Sequence, residues 1–500
     1  MFSNRSLPVI AAAAVLSFVV ACHEVHFEPR TGRGEILIHD HLFSVSVPSE
    51  DRIIAAGDWG AIYYSHDGGD TWEKAGTESE SKELLYGVSM ADEETGWAVG
   101  QLGMVLRTDD GGRTWAHQPT VKQEQGVHLF SIQALDTNRA WAVGEWGTRL
   151  FTDDGGKTWQ DRSLTVDETH PQFVWLSVAD QERVRKKEKV FEDVGLNDVY
   201  CLPSNTEFCW MIGEFGYLFR TEDGGNHWER GEIISGIVLD PIELGYNQIE
   251  IDEEQKEGIR DFARQIADQQ HLNVAIEPRV SPQEMKEFGS EEDPFPLFDI
   301  IEARTQEVVA AVEGVGILSD RIRRRGAPPW DYEDFLEDDP EFLRRYLDSR
   351  LADRPMMEVA LAQNPYLFTV RFSDENHGLI SGLGGMILKT DDGGRTWGYE
   401  DVGRKVALFS VHPNPKRTMV VGEKGVVRIS SDGGVSWAPP SSGFPTIFTF
   451  MRDIAFGQND RVGFIVGQRG MVLRSEDGGT TWQQVLPKKE PAAAEELAAS

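Results

Sequence analysis

The stretch RTDDGGRTW at positions 107–115 crowds two carboxylates, two glycines, two threonines and a tryptophan into one short loop. Acidic loops of this kind hold calcium or supply the acid and base of a hydrolase. Calcium needs a D-x-D-x-D-G ladder and a distant bidentate glutamate, and DDGG has neither. Glycoside hydrolysis needs two carboxylates facing each other across a sugar. Asp58, Glu145, Glu214 and Glu423, each just after the first glycine of a G-x-x-G turn, could line one face of the fold, where a polar rim is the favoured reading. HEVH at His23 to His26 is one residue short of the zincin spacing. No G-x-S-x-G, R-I-P or phosphate-loop motif occurs. The expectation is a non-enzyme with no catalytic residue, no metal site and no cofactor.

Repetition decides what the acidic loop is for. Aligned on tryptophan, seven segments share one pattern, of which GWAVGQLGMVLRTDDGGRTW (96–115) is typical. Their aspartates are Asp67, Asp110, Asp154, Asp223, Asp392, Asp432 and Asp477. Their tryptophans are Trp72, Trp115, Trp159, Trp228, Trp397, Trp437 and Trp482, spaced by 43, 44, 69, 169, 40 and 45 residues. The motif S/T-x-D-x-G-x-T-W is the Asp-box, or BNR motif. A short acid inside a turn accepts backbone N–H bonds, and the tryptophan buries a large ring against the neighbouring sheet. Seven copies suit a structural staple better than a catalytic centre.

The elements that position these loops follow from the same period. Each unit reads as four strands: an upstream apolar run such as LFSIQAL, then WAVG, then MVLRT, then a strand opened by the tryptophan. The glycines of the G-x-x-G turn, Gly100 and Gly103 in the second unit, are expected to supply positive φ. Four-stranded units near 40–45 residues apart predict an all-β, seven-bladed β-propeller. Blades 1–4 would span 36–231, with a charged insertion at about 160–196, and blades 5–7 would span 363–487. Residues 232–362 contain no Asp-box. Their helical signals, including Ile259, Phe262, Ala263 and Ile266 at helical spacing, predict a mainly helical insertion between blades 4 and 5. EILIHD (35–40) is a candidate closing strap, and 488–500 reads as a disordered tail.

The N-terminus speaks to compartment. Residues 1–21 read as an export signal ending in V-V-A-C, which resembles a lipobox and makes Cys22 the lipidated residue. Residues 22–35 would then be a tether from the bilayer, and His23 after the cysteine resembles outer-membrane rather than inner-membrane sorting. Cys201 and Cys209 flank a short turn. An oxidising compartment permits a disulfide there, while cross-strand geometry often opposes one. The net charge of -34 argues against nucleic-acid binding.

The units G-W-A-V-G-x-x-G-x-x-L-x-T-x-D-G-G-x-T-W resemble the photosystem II stability/assembly factor family of seven-bladed propellers. The resemblance covers all seven units and neither insertion. It implies a periplasmic scaffold that binds a membrane protein complex or, in bacteria without photosystems, a transporter subunit linked to an RND-type exporter. Two alternatives share the Asp-box: a sialidase- or xyloglucanase-like glycosidase, and a propeller that binds a glycan or small ligand. Trp59, Trp146 and Phe215 follow the G-x-x-G starts, where a plain turn would be polar. They are expected either to form an exposed partner-binding rim or to be covered by the helical insertion, and the second reading is the favoured one.

Overall fold

The computed structural model describes residues 40–486, apart from 78–81, 171, 174–175, 235–236, 238, 268–271, 337–339, 363–364 and 415. The export signal, Cys22, the tether, all but the last residue of the EILIHD strap and the C-terminal tail lie outside the described residues.

The architecture is all-β and propeller-like. Seven antiparallel meanders follow one another along the chain, opening with the strands Leu42–Ser46, Leu85–Met90, Leu129–Ala134, Leu196–Cys201, Leu367–Phe372, Leu408–His412 and Met451–Phe456. Second strands, such as Gly96–Gly100 and Ala140–Gly144, are buried along their whole length. That burial explains their unbroken apolar sequences, because both faces of each sheet meet a neighbour. Each first strand packs beside the next, and Met451–Phe456 packs beside Leu42–Ser46.

The core is accordingly divided into seven clusters, one at each seam between sheets. Every Asp-box tryptophan sits in the seam with the preceding sheet. Trp115 packs with Ile54 and Ile62 of the first sheet, and Trp72 packs with Phe464 of the seventh. The seam between first and last sheets has polar ties as well. Asp453 accepts from Val45 N at 2.9 Å, and Arg474 Nη1 meets Asp70 at 2.6 Å.

The sixth unit departs from the expected four strands. Its sheet has three, and the fourth is reduced to a single bridge between Ile429 and Ala438. Pro439 and Pro440 follow at once, and proline has no N–H to continue the ladder.

The inserted stretch carries more helix than strand, and it adds a sheet that its helical signals do not predict. Residues 242–362 build a mixed α/β unit whose four-stranded sheet runs in the order Ile242–Glu243, Met356–Ala362, Asn273–Arg279, Ile322–Arg324. The helices Glu253–Ile266 and Phe295–Glu313 cover one face, joining Ile259, Phe262, Val308 and Val312 to Val274, Ile276 and Val359. The capping box at Ser281 is present, and its Glu284 also binds Arg304 at 2.6 Å in a fully buried ion pair. In the charged stretch 160–196, the helix Val178–Arg185 carries the cluster of arginines and acids.

Candidate binding face

Each Asp-box is closed on itself. In the second unit Asp110 accepts from Thr114 N at 2.9 Å, Thr114 Oγ1 at 2.6 Å and Thr108 Oγ1 at 2.8 Å. Trp115 Nε1 donates back to the Gly112 carbonyl at 3.0 Å. The aspartate-to-backbone bond recurs at Asp67, Asp154, Asp223, Asp392, Asp432 and Asp477. The indole bond recurs in five further units, and Trp159 Nε1 is the one left without a partner. Burial pushes the Asp110 carboxyl up, but these donors outweigh it and hold the group below its ordinary range. The seven carboxylates therefore lie one to a unit, spent on their own turns.

The G-x-x-G turns stand at the opposite end of the second strands. The first glycine was expected to have positive φ; instead Gly100 is extended, with φ -167°. Glycine is needed there for space, because a Cβ would sit 2.0 Å from the Leu84 carbonyl oxygen. Gly57, Gly144, Gly213, Gly422 and Gly467 meet the corresponding carbonyl just as closely, between 1.9 and 2.3 Å. Positive φ falls on the last two turn residues, so Trp59, Leu102, Trp146, Phe215, Lys424 and Arg469 are all left-handed.

The residue after that glycine fastens the turn to the root of the first strand. Glu145 N donates to the His128 carbonyl, and the Glu145 carboxylate accepts from His128 N at 3.0 Å. Asp58, Gln101, Glu214, Glu423 and Gln468 make the same side-chain bond to the residue before their own first strand. Leu383 alone has no acceptor to offer. The carboxylates considered for glycoside hydrolysis are thus backbone clamps, each tied to a separate sheet. Sequence reasoning missed this role, although the periodic acid or amide at one position was its signal.

Turn and neighbour are also stitched together. The last turn residue donates its N–H to the chain entering the next sheet: Gly60 to Glu83, Gly147 to Val194, Gly216 to Pro365 and Gly425 to Thr449. Gly470 to Asp40, at 2.5 Å, completes the series between the last sheet and the first. The turns therefore crown one face in chain order.

That face carries an exposed apolar arc. Trp59, Trp146 and Phe215 are 66%, 51% and 57% exposed, with Leu102 and Leu383 also exposed on the intervening and following turns. The expectation that the insertion covers them is therefore wrong. Its strands and helices fill their own core instead of landing on the crown. Exposed Phe448 lies beside the sixth turn, and Lys424 and Arg469 occupy the tips of the sixth and seventh turns.

Inside the crown, every first strand shifts register one residue after its buried Leu or Met anchor. The shifted residues are Phe43, Tyr86, Phe130, Asn197, Phe368, Phe409 and Arg452, and all seven line one axial cavity of about 410 Å³. Below them Arg371 meets Asp198 at 2.5 Å, and Asp453 accepts from Ser410 Oγ at 2.8 Å. Away from the crown, Cys201 and Cys209 face each other across adjacent strands and are joined by a disulfide, with Cα atoms 4.0 Å apart. Among the described residues, no group of three or more His, Cys, Asp or Glu is arranged to hold a metal, and no helix is long and apolar enough to cross a membrane.

The chain matches the family model described as photosynthesis system II assembly factor YCF48 over residues 38–108, 77–171 and 349–441. It is 32% identical over 72 residues to the photosystem II assembly lipoprotein Ycf48 of Synechococcus sp. (strain CC9902). That stretch is 14% of this chain and spans only 22% of the relative's length. Among solved structures, it is similar to YCF48 bound to D1 peptide, at 16% identity and a TM-score of 0.48, covering 90% of this chain and 98% of the other. It is also similar to YCF48 from Cyanidioschyzon merolae, at 13% identity and a TM-score of 0.33, covering 89% and 98%. The WD40 β-propeller domain of Doa1 is similar at 10% identity and a TM-score of 0.43, covering 90% and 97%.

Proposed function

The chain belongs to the photosystem II assembly factor-like family of Asp-box proteins, and from that premise we propose that it is a non-enzymatic scaffold whose crowned face docks onto a membrane protein. In this reading the seven meanders form a closed seven-bladed propeller, with residues 242–362 as an inserted unit between blades 4 and 5. Lipid on Cys22 holds the domain outside the cytoplasm at the outer membrane. The client is a photosystem assembly intermediate or, in a host without photosystems, an RND-type exporter.

The observation that carries the proposal is the apolar arc from Trp59 to Leu383. Trp59, Leu102, Trp146 and Phe215, large apolar side chains on left-handed turn tips, are costly twice, once in backbone strain and once in exposure to water. Neither cost aids folding, and both suit a contact surface, where buried aromatic anchors dominate affinity. The same geometry speaks against the glycosidase, whose candidate carboxylates are all engaged by backbone N–H groups.

The test is capture from native membranes in mild detergent, comparing the unaltered chain with a Trp59→Ser, Trp146→Ser, Phe215→Ser triple variant. Loss of one membrane-protein client with unchanged thermal stability is the expected result. Equal recovery by both proteins would remove the crowned face from consideration.

A further inference from the structure

The axial cavity has a chemistry that docking through the rim does not use. Aromatic rings form most of its collar: Phe43 lies 5.9 Å from Tyr86, Tyr86 lies 5.8 Å from Phe130, and Phe368 lies 5.4 Å from Phe409. Arg452 fills the seventh position. Its guanidinium stands 4.3 Å from the Phe409 ring, 5.4 Å from Phe450 and 5.8 Å from Phe43. It makes no hydrogen bond or ion pair with the described residues, and its Nε is buried without a partner. The other charged residues lining the cavity are engaged: Asp198 with Arg371, and Asp453 with Ser44, Val45, Ser410 and Ile454.

A guanidinium stacked on an aromatic face keeps its in-plane N–H donors free, and that planar fork matches a carboxylate. Buried donors left unpaired are costly unless a ligand completes them. An aromatic collar around a single cation selects for an apolar body bearing one negative charge. In a chain of net charge -34, surface electrostatics alone would repel such a ligand, so recognition has to be local.

We propose that the collar is a binding site for a carboxylate carried on an apolar or aromatic body, held by Arg452 and packed between Phe43 and Phe409. The volume of about 410 Å³ suits one such group and falls within the range of small-ligand sites. The carboxylate comes from a free small acid or from the C-terminal residue of a polypeptide. The site does not depend on the role of the rim and stands if the rim proves inert.

The experiment is calorimetric titration of the purified full chain in detergent with four probes. These are 3-phenylpropionate, its amide, a hexapeptide ending in phenylalanine with a free carboxylate, and the same peptide amidated. A charge-assisted bond to a half-buried guanidinium predicts that at least one acid binds at least about 10-fold tighter than its amide. Arg452→Met abolishes that preference, whereas Arg404→Met, which removes an exposed arginine, retains it. If only the small acid binds, the ligand is a free acid; if only the peptide acid binds, it is a chain end. Arg452→Lys keeps the charge but not the fork and serves if Arg452→Met does not fold, with a reduced preference expected. Equal binding of acid and amide, no binding by any probe, or an unchanged preference in the available Arg452 variant would overturn the site.

Discussion

Gly100 offers a clean test of why the turns contain glycine. Its φ of -167° is open to any residue, so the requirement is space alone. An alanine Cβ would lie 2.0 Å from the Leu84 carbonyl oxygen, where ordinary contact is about 3.3 Å. That carbonyl must retreat by more than an ångström. In doing so it loosens the 2.9 Å bond from Gln101 N and the 3.1 Å bond from Leu84 N to Gln101 Oε1. Two hydrogen bonds at about 1 kcal/mol each, with about 1–3 kcal/mol of overpacking, predict a loss of about 3–5 kcal/mol for Gly100→Ala. Gly398 is the control. A Cβ there meets nothing within 4 Å, so Gly398→Ala should be neutral or stabilising by about 0.5 kcal/mol. Urea denaturation followed by tryptophan fluorescence reads both. Gly100→Asn separates space from backbone conformation, because asparagine eases a left-handed requirement and aggravates a steric one. An asparagine variant more stable than the alanine variant would refute the steric account, as would equal effects at Gly100 and Gly398.

Three further outcomes are expected. Trp59→Gly should raise stability by about 1 kcal/mol, since φ at Trp59 is 57°, while weakening client capture; a stability loss in thermal melts would contradict the strain. Leu383→Gln should add about 0.5–1 kcal/mol in urea by giving the fifth turn the acceptor that the other six have, and an unchanged midpoint would count against the clamp. Burial pushes all seven Asp-box carboxyls up and is the largest single influence at Asp67, Asp110, Asp392 and Asp477, yet Thr, Ser or His donors together hold every one below its ordinary range. A depressed folded pKa means that stability from these groups is fully present above about pH 4 and is lost as pH falls through the folded values. Urea midpoints should therefore drop steeply below pH 4, and an Asp110→Asn variant should show a shallower drop.

The repeat was legible in the sequence because each unit carries its own turn chemistry at fixed spacing. Trp59, Trp146 and Phe215 could be singled out because an aromatic at a turn tip conflicts with local preference. Other features depend on contacts between distant residues. Met356–Ala362 is rich in helix formers, and only pairing with Asn273–Arg279 makes it a strand that buries Met357, Val359 and Leu361. The collar was invisible for a similar reason. Phe43 and Arg452 are 409 positions apart, and the register shift that turns both toward the axis appears only when the first strands assemble. The clamp at Glu145 was visible as a periodic acid but was read as a polar rim, because its partner is a backbone N–H 17 residues earlier.

Among the described residues, the seam between the first and last sheets is made like every other, with no strand shared between them. A pulling force applied at Asp40 would therefore load its bond to Gly470 first, peeling one wedge from the assembly before disturbing the remaining six. The starting point of such a polypeptide is also arbitrary in principle. Joining Leu486 to Asp40 and cutting at another junction would preserve every contact described while moving the weakest line to a new place.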